Sequence, residues 1–198
     1  MPLYRILFFL YYLYMRITGG ELKGRIIKCP DGIIRPAMDR MRESVFAILG
    51  NLSEKSFLDL FSGSGTIAIE AVSRGAEHVE LVEKDKIKIN TVLSNVAITE
   101  KEMNKKIGCH FMAVELFLKR CNKQFDYIFC DPPFPYKFHK NLIEIIAQRN
   151  LLTDNGIAMI HRPEEKNMPD NILSLNLCDR RIYGRSIVDF YSKKQNQI

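Results

Sequence analysis

Apolar strand-like runs and amphipathic helix-like stretches alternate from Phe57 to Ile160, and this alternation restricts the possible folds more than any other feature of the chain. Phe57 to Phe61 predicts a first strand, and Thr66 to Arg74, closed by Gly75, a helix. His78 to Val82 predicts a second strand, followed by a helix from about Lys86 to Val96. Cys109 to Ala113 predicts the third strand and Glu115 to Cys121 a helix, then Phe125 to Cys130 the fourth strand and Phe138 to Gln148 a helix. Asp154-Asn155-Gly156 reads as a turn before a fifth strand, Ile157 to Ile160. Two alternating runs remain, Ile172 to Leu177 and Ile187 to Tyr191, with no helix between them long enough to cross a sheet, so they predict an antiparallel pair. A βα alternation of this kind folds as an α/β doubly wound sheet, here mostly parallel with an antiparallel end.

The length, 198 residues, fits one domain. A net charge of +6 favours an anionic partner without specifying one. Five scattered cysteines form no Cys-x-x-Cys pair and the four histidines have no i,i+4 partner, so the expectation is reduced thiols, a cytoplasmic protein and no metal. The run Ile6 to Met15 holds ten apolar or aromatic residues in a row, short of the ~20 that span a bilayer. It has only Arg5 as a charged flank and no small-residue cleavage site, which makes it a poor signal peptide. Residues 1–14 are therefore expected to lie outside the fold, without stable membrane association, and 15–192 to form the domain, with a polar tail at 193–198. Residues 15–50 read as a basic arm ending in a helix, with Met41, Val45, Ile48 and Leu49 on one face and Gly50 as the stop. From Arg16 to Arg42 seven basic residues stand against three acids. Lys23, Arg25, Arg35, Arg40 and Arg42 are the candidate phosphate contacts. No long heptad is present, so a monomer is expected.

Two constellations fall where strands should end. Asp131-Pro132-Pro133-Phe134 follows the fourth strand. Asp131 can accept one hydrogen of an exocyclic amine, the Pro132 carbonyl the second, and Phe134 offers a flat stacking face for a planar base. Asp59-Leu60-Phe61-Ser62-Gly63-Ser64-Gly65 sits at the first strand-to-helix turn, where glycines let a ligand approach the backbone. Gly63-x-Gly65-x-x-Ala68, with Glu83 twenty residues past Gly63, also fits the dinucleotide fingerprint, so the turn alone does not separate NAD from S-adenosylmethionine (SAM). Asp59, an acid inside the strand, could reach the amino group of SAM, and Glu83 the ribose hydroxyls. The Asp-Pro-Pro corner has no task in hydride transfer. It resembles the Asp/Asn-Pro-Pro-aromatic signature of SAM enzymes that methylate amino nitrogens.

The order Arg16-Ile17-Thr18-Gly19-Gly20-x-x-Lys23-Gly24-Arg25, Arg35-Pro36-x-x-Asp39-Arg40-x-Arg42-Glu43, Asp59-x-Phe61-Ser62-Gly63-Ser64-Gly65, Glu83-x-Asp85, Asp131 to Phe134 and Tyr183-Gly184 resembles the RsmD family of bacterial 16S rRNA guanine-N2 methyltransferases. The resemblance covers about residues 15–192. It implies the class I methyltransferase (Rossmann-like) fold of seven strands with the last antiparallel, SAM as methyl donor, and 16S rRNA or the small ribosomal subunit as partner. It implies cofactor contacts at Asp59, Phe61, Ser62, Gly63, Gly65 and Glu83, and a catalytic corner at Asp131, Pro132, Pro133 and Phe134. Three positions depart from the pattern. Ala37 stands where threonine is usual, and Met41 where valine is common. Met112-Ala113-Val114 lacks the acid or amide that often meets the SAM adenine, leaving backbone groups near Val114 for that task. The corner alone would also serve adenine N6 or protein glutamine, and a catalytically idle RNA-binding assembly factor could keep the same fold.

Overall fold

The computed structural model describes residues 14–29 and 37–193. Arg35, the segment 1–14 apart from Tyr14, and the tail beyond Lys193 lie outside the described residues. A short antiparallel ribbon, β1 (Tyr14–Arg16) with β2 (Ile26–Lys28), precedes α1 (Ala37–Leu49). Then come β3 (Ser56–Leu60), α2 (Thr66–Ser73), β4 (His78–Val82), α3 (Ile89–Met103), β5 (Ile107–His110), α4 (Val114–Arg120), β6 (Phe125–Cys130), α5 (His139–Gln148) and β7 (Leu152–Pro163). β8 (Asn171–Ile172), β9 (Leu175–Tyr183) and β10 (Ser186–Lys193) end the described chain.

One eight-stranded sheet runs in the order β5-β4-β3-β6-β7-β10-β9-β8. β3 to β7 pair in parallel, and β10 inserts antiparallel between β7 and β9. The mostly parallel sheet with an antiparallel end is as expected; the eighth strand is the two-residue β8, which pairs with β9 at the sheet edge. Chain order reverses between β3 and β6, so the carboxyl ends of these two central strands border the crevice where open α/β sheets bind ligands. Both faces are covered, which is why the central strands are apolar nearly throughout rather than alternating. One core packs Phe46, Phe57 and Val72 on one face; the other packs Leu58, Ile128 and Leu142 on the opposite face.

Three local expectations need correction. The third strand ends at His110, not Ala113, because its parallel register against β4 stops at Val82↔His110. α3 runs on to Met103, where Asn104 turns into the left-handed conformation. Asp154-Asn155-Gly156 is an irregularity inside β7 rather than a turn before it: Leu152 pairs with Phe125 and Ile157 with Tyr127, so the intervening residues bulge opposite Asp126. A side chain at Gly156 would meet the Phe125 carbonyl at 2.9 Å.

The basic arm is docked rather than free. Thr18 donates through its N–H and its hydroxyl to the buried carboxylate of Glu70 on α2, at 2.8 and 2.6 Å. Glu21 N–H donates to the Ser73 carbonyl at 2.8 Å. Gly19 and Gly20 allow this approach: a Cβ at Gly20 would stand 1.9 Å from the Ser73 oxygen, and its φ of 75° is also costly for other residues. The Thr18-Gly19-Gly20 motif is thus a docking element for α2.

Candidate active site

Three loops at the carboxyl edge are held in place by continuations of the strand ladder. Ser62 N–H donates to Val82 O at 3.0 Å, Glu83 N–H to His110 O at 3.1 Å, and Asp131 N–H to Leu60 O at 3.2 Å. Phe61, between these anchors, takes φ 64°. That conformation costs a non-glycine residue ~1–2 kcal/mol, and such strain gathers at functional sites. Its ring packs edge-on against Tyr136, with centroids 5.3 Å apart.

The glycine turn forms a cradle with acids at both ends. Gly63 and Gly65 take positive φ, and the Gly63 N–H donates to Glu83 Oε2 at 2.8 Å. Glu83 Oε1 accepts the Asp85 N–H at 2.8 Å. With each oxygen fixed by one donor, the carboxylate keeps acceptor capacity for a pair of hydroxyls. Gly65, the residue preceding α2, has no capping side chain, and Asp59 on β3 takes over that role. Asp59 Oδ2 accepts the Ala68 N–H from the first turn of α2 at 3.2 Å and the Ser62 hydroxyl at 2.7 Å. Burial pushes the Asp59 carboxyl up to about 7, against those two hydrogen bonds.

Two cavities meet at this edge. A narrow one of about 90 Å³ is lined by Met15, Met41, Arg42, Asp59, the Phe61 to Ser64 turn and Asp131 among others. A wide one of about 470 Å³ is lined by Phe61, Glu83, Lys84, Lys88, Asp131 to Pro135 and His161. Phe61 and Asp131 line both. Pro133 O accepts the Tyr136 N–H at 2.8 Å, closing the turn that carries the partly exposed Phe134 into the wide cavity. Tyr136 is in turn fixed by its hydroxyl, which donates to Glu115 at 2.7 Å.

The structure thus gathers Asp59, Phe61, Ser62, Gly63, Glu83 and Asp131 to Phe134 around two connected cavities, with Gly65 behind the cradle at the start of α2. Val114 is different: its side chain is buried in the core with Leu58 and Val82, so it offers the cavities no side-chain contact. The end of β5 two residues before Met112 accounts for this, since Val114 becomes the first residue of α4. Arg42 is also corrected. It is 1% exposed, and donates to Glu70 at 3.2 Å, Asp39 at 2.9 Å and the Arg16 carbonyl at 2.5 Å. A guanidinium so enclosed cannot reach a phosphate backbone; it forms a wall of the narrow cavity. Lys23 and Arg40 are exposed, and Arg25 is half-buried in an ion pair with Glu102 of α3.

His161 and Tyr136 were not among the expected site residues. His161 lies on β7 and comes level with Asp131 because β7 pairs with β6, an adjacency that the local sequence does not show.

Residues 15–192 match the family described as Conserved hypothetical protein 95. The chain belongs to this family. Among the chain's relatives, "Putative rRNA methyltransferase YlbH" of Bacillus subtilis is 33% identical over 185 residues, covering 91% of this chain and all of that one. "Ribosomal RNA small subunit methyltransferase D" of Escherichia coli is 26% identical, covering 91% and 90%. The solved structure titled "Putative methyltransferase yhhF from Escherichia coli" superposes with a TM-score of 0.80 at 25% identity, over 92% of this chain and 99% of that one. The fold is that of SAM-dependent methyltransferases, and the resemblance read from the motifs holds.

Proposed function

We propose that this chain transfers the methyl group of SAM to the exocyclic N2 of a guanine in 16S rRNA. The observation that carries this reading is the position of Asp131, a carboxylate at the junction of a narrow glycine-walled cavity and a wide aromatic one. The relatives named for rRNA methylation support the substrate class.

The residues fit the cofactor chemically. Asp59 would meet the amino group, the Gly63 turn would admit the backbone-close part of the ligand, and Glu83 would take the ribose hydroxyls. SAM supplies an electrophilic methyl carried on a sulfonium. An arylamine nitrogen is a weak nucleophile because its lone pair is delocalised into the ring. Asp131, with the Pro132 carbonyl, would accept the amine hydrogens and free the lone pair. A carboxylate fixed where positive charge develops, together with positioning, supplies most of the rate. The N–H proton of the methylated nitrogen then leaves to Asp131 or solvent. Phe134 would stack on the base taken out of its RNA stack, a contact worth ~1–3 kcal/mol. Exposed Lys23 and Arg40, with Lys84 at the rim of the wide cavity, would meet phosphates.

The direct test is labelled methyl transfer from SAM to small subunits lacking the modification, followed by nucleoside analysis. N2-methylguanosine is expected. N6-methyladenosine would keep the chemistry and overturn the base assignment, and no transfer would overturn the enzymatic reading.

Asp59 gives the cofactor site a pH dependence. With a pKa of about 7 in the ligand-free protein, Asp59 is protonated below neutrality. A bound ammonium favours its ionised form, so below neutrality binding should release a proton and SAM affinity should rise with pH toward about 7, and fall again only where the ligand's own amino group loses its charge, at ~8. Calorimetry across pH should show this rise in the wild type and a weaker, flat response in Asp59→Asn. A flat wild-type profile would remove Asp59 from the ammonium contact.

A further inference from the structure

The backbone of Asp131 is anchored by its N–H to Leu60, but that bond leaves the carboxylate free to rotate. His161 supplies the missing restraint. Its Nδ1 lies 2.8 Å from Asp131 Oδ1, and the residue is 8% exposed on β7. Its other ring nitrogen, Nε2, is buried without a hydrogen-bond partner among the described residues. The ring is therefore oriented through the bond to Asp131, with Nδ1–H as donor because an ionised carboxylate only accepts.

We propose that His161 is a positioning residue for methyl transfer: it holds Asp131 Oδ1 so that the second carboxylate oxygen faces the amine of the target base. This inference rests on the amine-methylation reading of the site and deepens it. The choice of side chain has a chemical logic. A lysine or arginine at this place would hold the carboxylate equally well but offset its negative charge where the reacting nitrogen becomes positive. An imidazole, unlike either, can donate one hydrogen bond without carrying a permanent charge of its own. The acceptor site that His161 takes is no longer available to the amine, and the bond fixes the direction in which the remaining sites of the carboxylate point. The pairing also explains a buried histidine at the mouth of a polar cavity, which apolar packing alone would fill with an aliphatic residue.

Two substitutions separate the donor from the volume of the ring. His161→Leu keeps most of the volume and removes the donor. His161→Asn is smaller but can place an amide N–H near the position of Nδ1. Labelled-methyl kinetics on small subunits should show kcat reduced roughly 10–100-fold in His161→Leu, the scale of a misplaced catalytic group. KM for the subunit and Kd for SAM should stay within about threefold of wild type, and His161→Asn should recover most of the lost kcat. A merely structural histidine would lower folding and SAM binding together and would not be rescued by the smaller residue. Wild-type kcat in His161→Leu, or a His161→Asn as slow as His161→Leu, overturns the proposal while leaving the reaction intact. Should His161→Leu fail to fold, His161→Asn decides alone: near-wild-type kcat supports the restraint, and a loss of kcat with SAM binding retained overturns it. A wild type that transfers no methyl overturns the amine-methylation reading itself, and this inference with it.

Discussion

Asp131→Ala should abolish methyl transfer while leaving SAM bound. The groups that would hold the cofactor, Asp59, the Gly63 turn and Glu83, make their own hydrogen bonds without Asp131. Its removal should therefore leave Kd for SAM within about threefold, because it subtracts an interaction made mainly in the transition state. Loss of one fixed group facing developing charge costs ~10²–10³ in rate, and proton acceptance can add to this. Single-turnover transfer should accordingly fall by about 10³-fold or more in Asp131→Ala. Asp131→Asn should lie between, since an amide oxygen still accepts a hydrogen bond but carries no full charge. Near-normal transfer by Asp131→Ala would move the catalytic role elsewhere; equal loss of SAM binding would make Asp131 a cofactor residue instead.

The fold and the glycine turn were readable because each depends on a local pattern. Continuous apolar runs mark β3, β4 and β6, and Gly63 and Gly65 stand where left-handed backbone is needed. The docking of the arm was less readable. Seven basic residues between Arg16 and Arg42 look like one electrostatic surface, yet their fates diverge in three dimensions. Arg42 faces inward because Glu70, 28 residues later, lies buried on α2 and needs a counter-charge. No local pattern marks Glu70 for burial; all of α2 is buried because the arm covers its outer side. The burial of the Val114 side chain was hidden for a different reason. Strand ends are set by the partner's register, and β4 ends too early to extend β5 to Ala113. His161 depends on two strands being neighbours, a property of topology that no single segment carries.

The largest stability effect is expected at Glu70, and it separates two roles that the basic arm invites one to merge. Glu70 is fully buried and accepts from Arg42 at 3.2 Å, Arg74 at 3.0 Å, and twice from Thr18. Glu70→Ala leaves the Arg42 guanidinium, at 2% side-chain exposure, with the partly exposed Asp39 as its one counter-charge among the described residues. Breaking a buried pair by removing one partner costs ~3–5 kcal/mol, a large share of the ~5–15 kcal/mol that holds a domain together. A fall in Tm of roughly 10 °C is expected. Arg42→Ala should also destabilise, though less, since Glu70 keeps Arg74 and Thr18 as partners. Neither change should alter how RNA affinity depends on salt, because Arg42 reaches no solvent-facing phosphate. Arg40→Ala should do the reverse. It is exposed on α1, so stability should move within about 0.5 kcal/mol, while the slope of log affinity against log salt falls by about 1. Thermal unfolding of the three variants, paired with RNA binding at several salt concentrations, tests both halves. A reduced salt slope in Arg42→Ala with unchanged Tm would mean that the arm opens to present Arg42 to RNA, and would overturn the assignment of the Glu70 cluster as its permanent anchor.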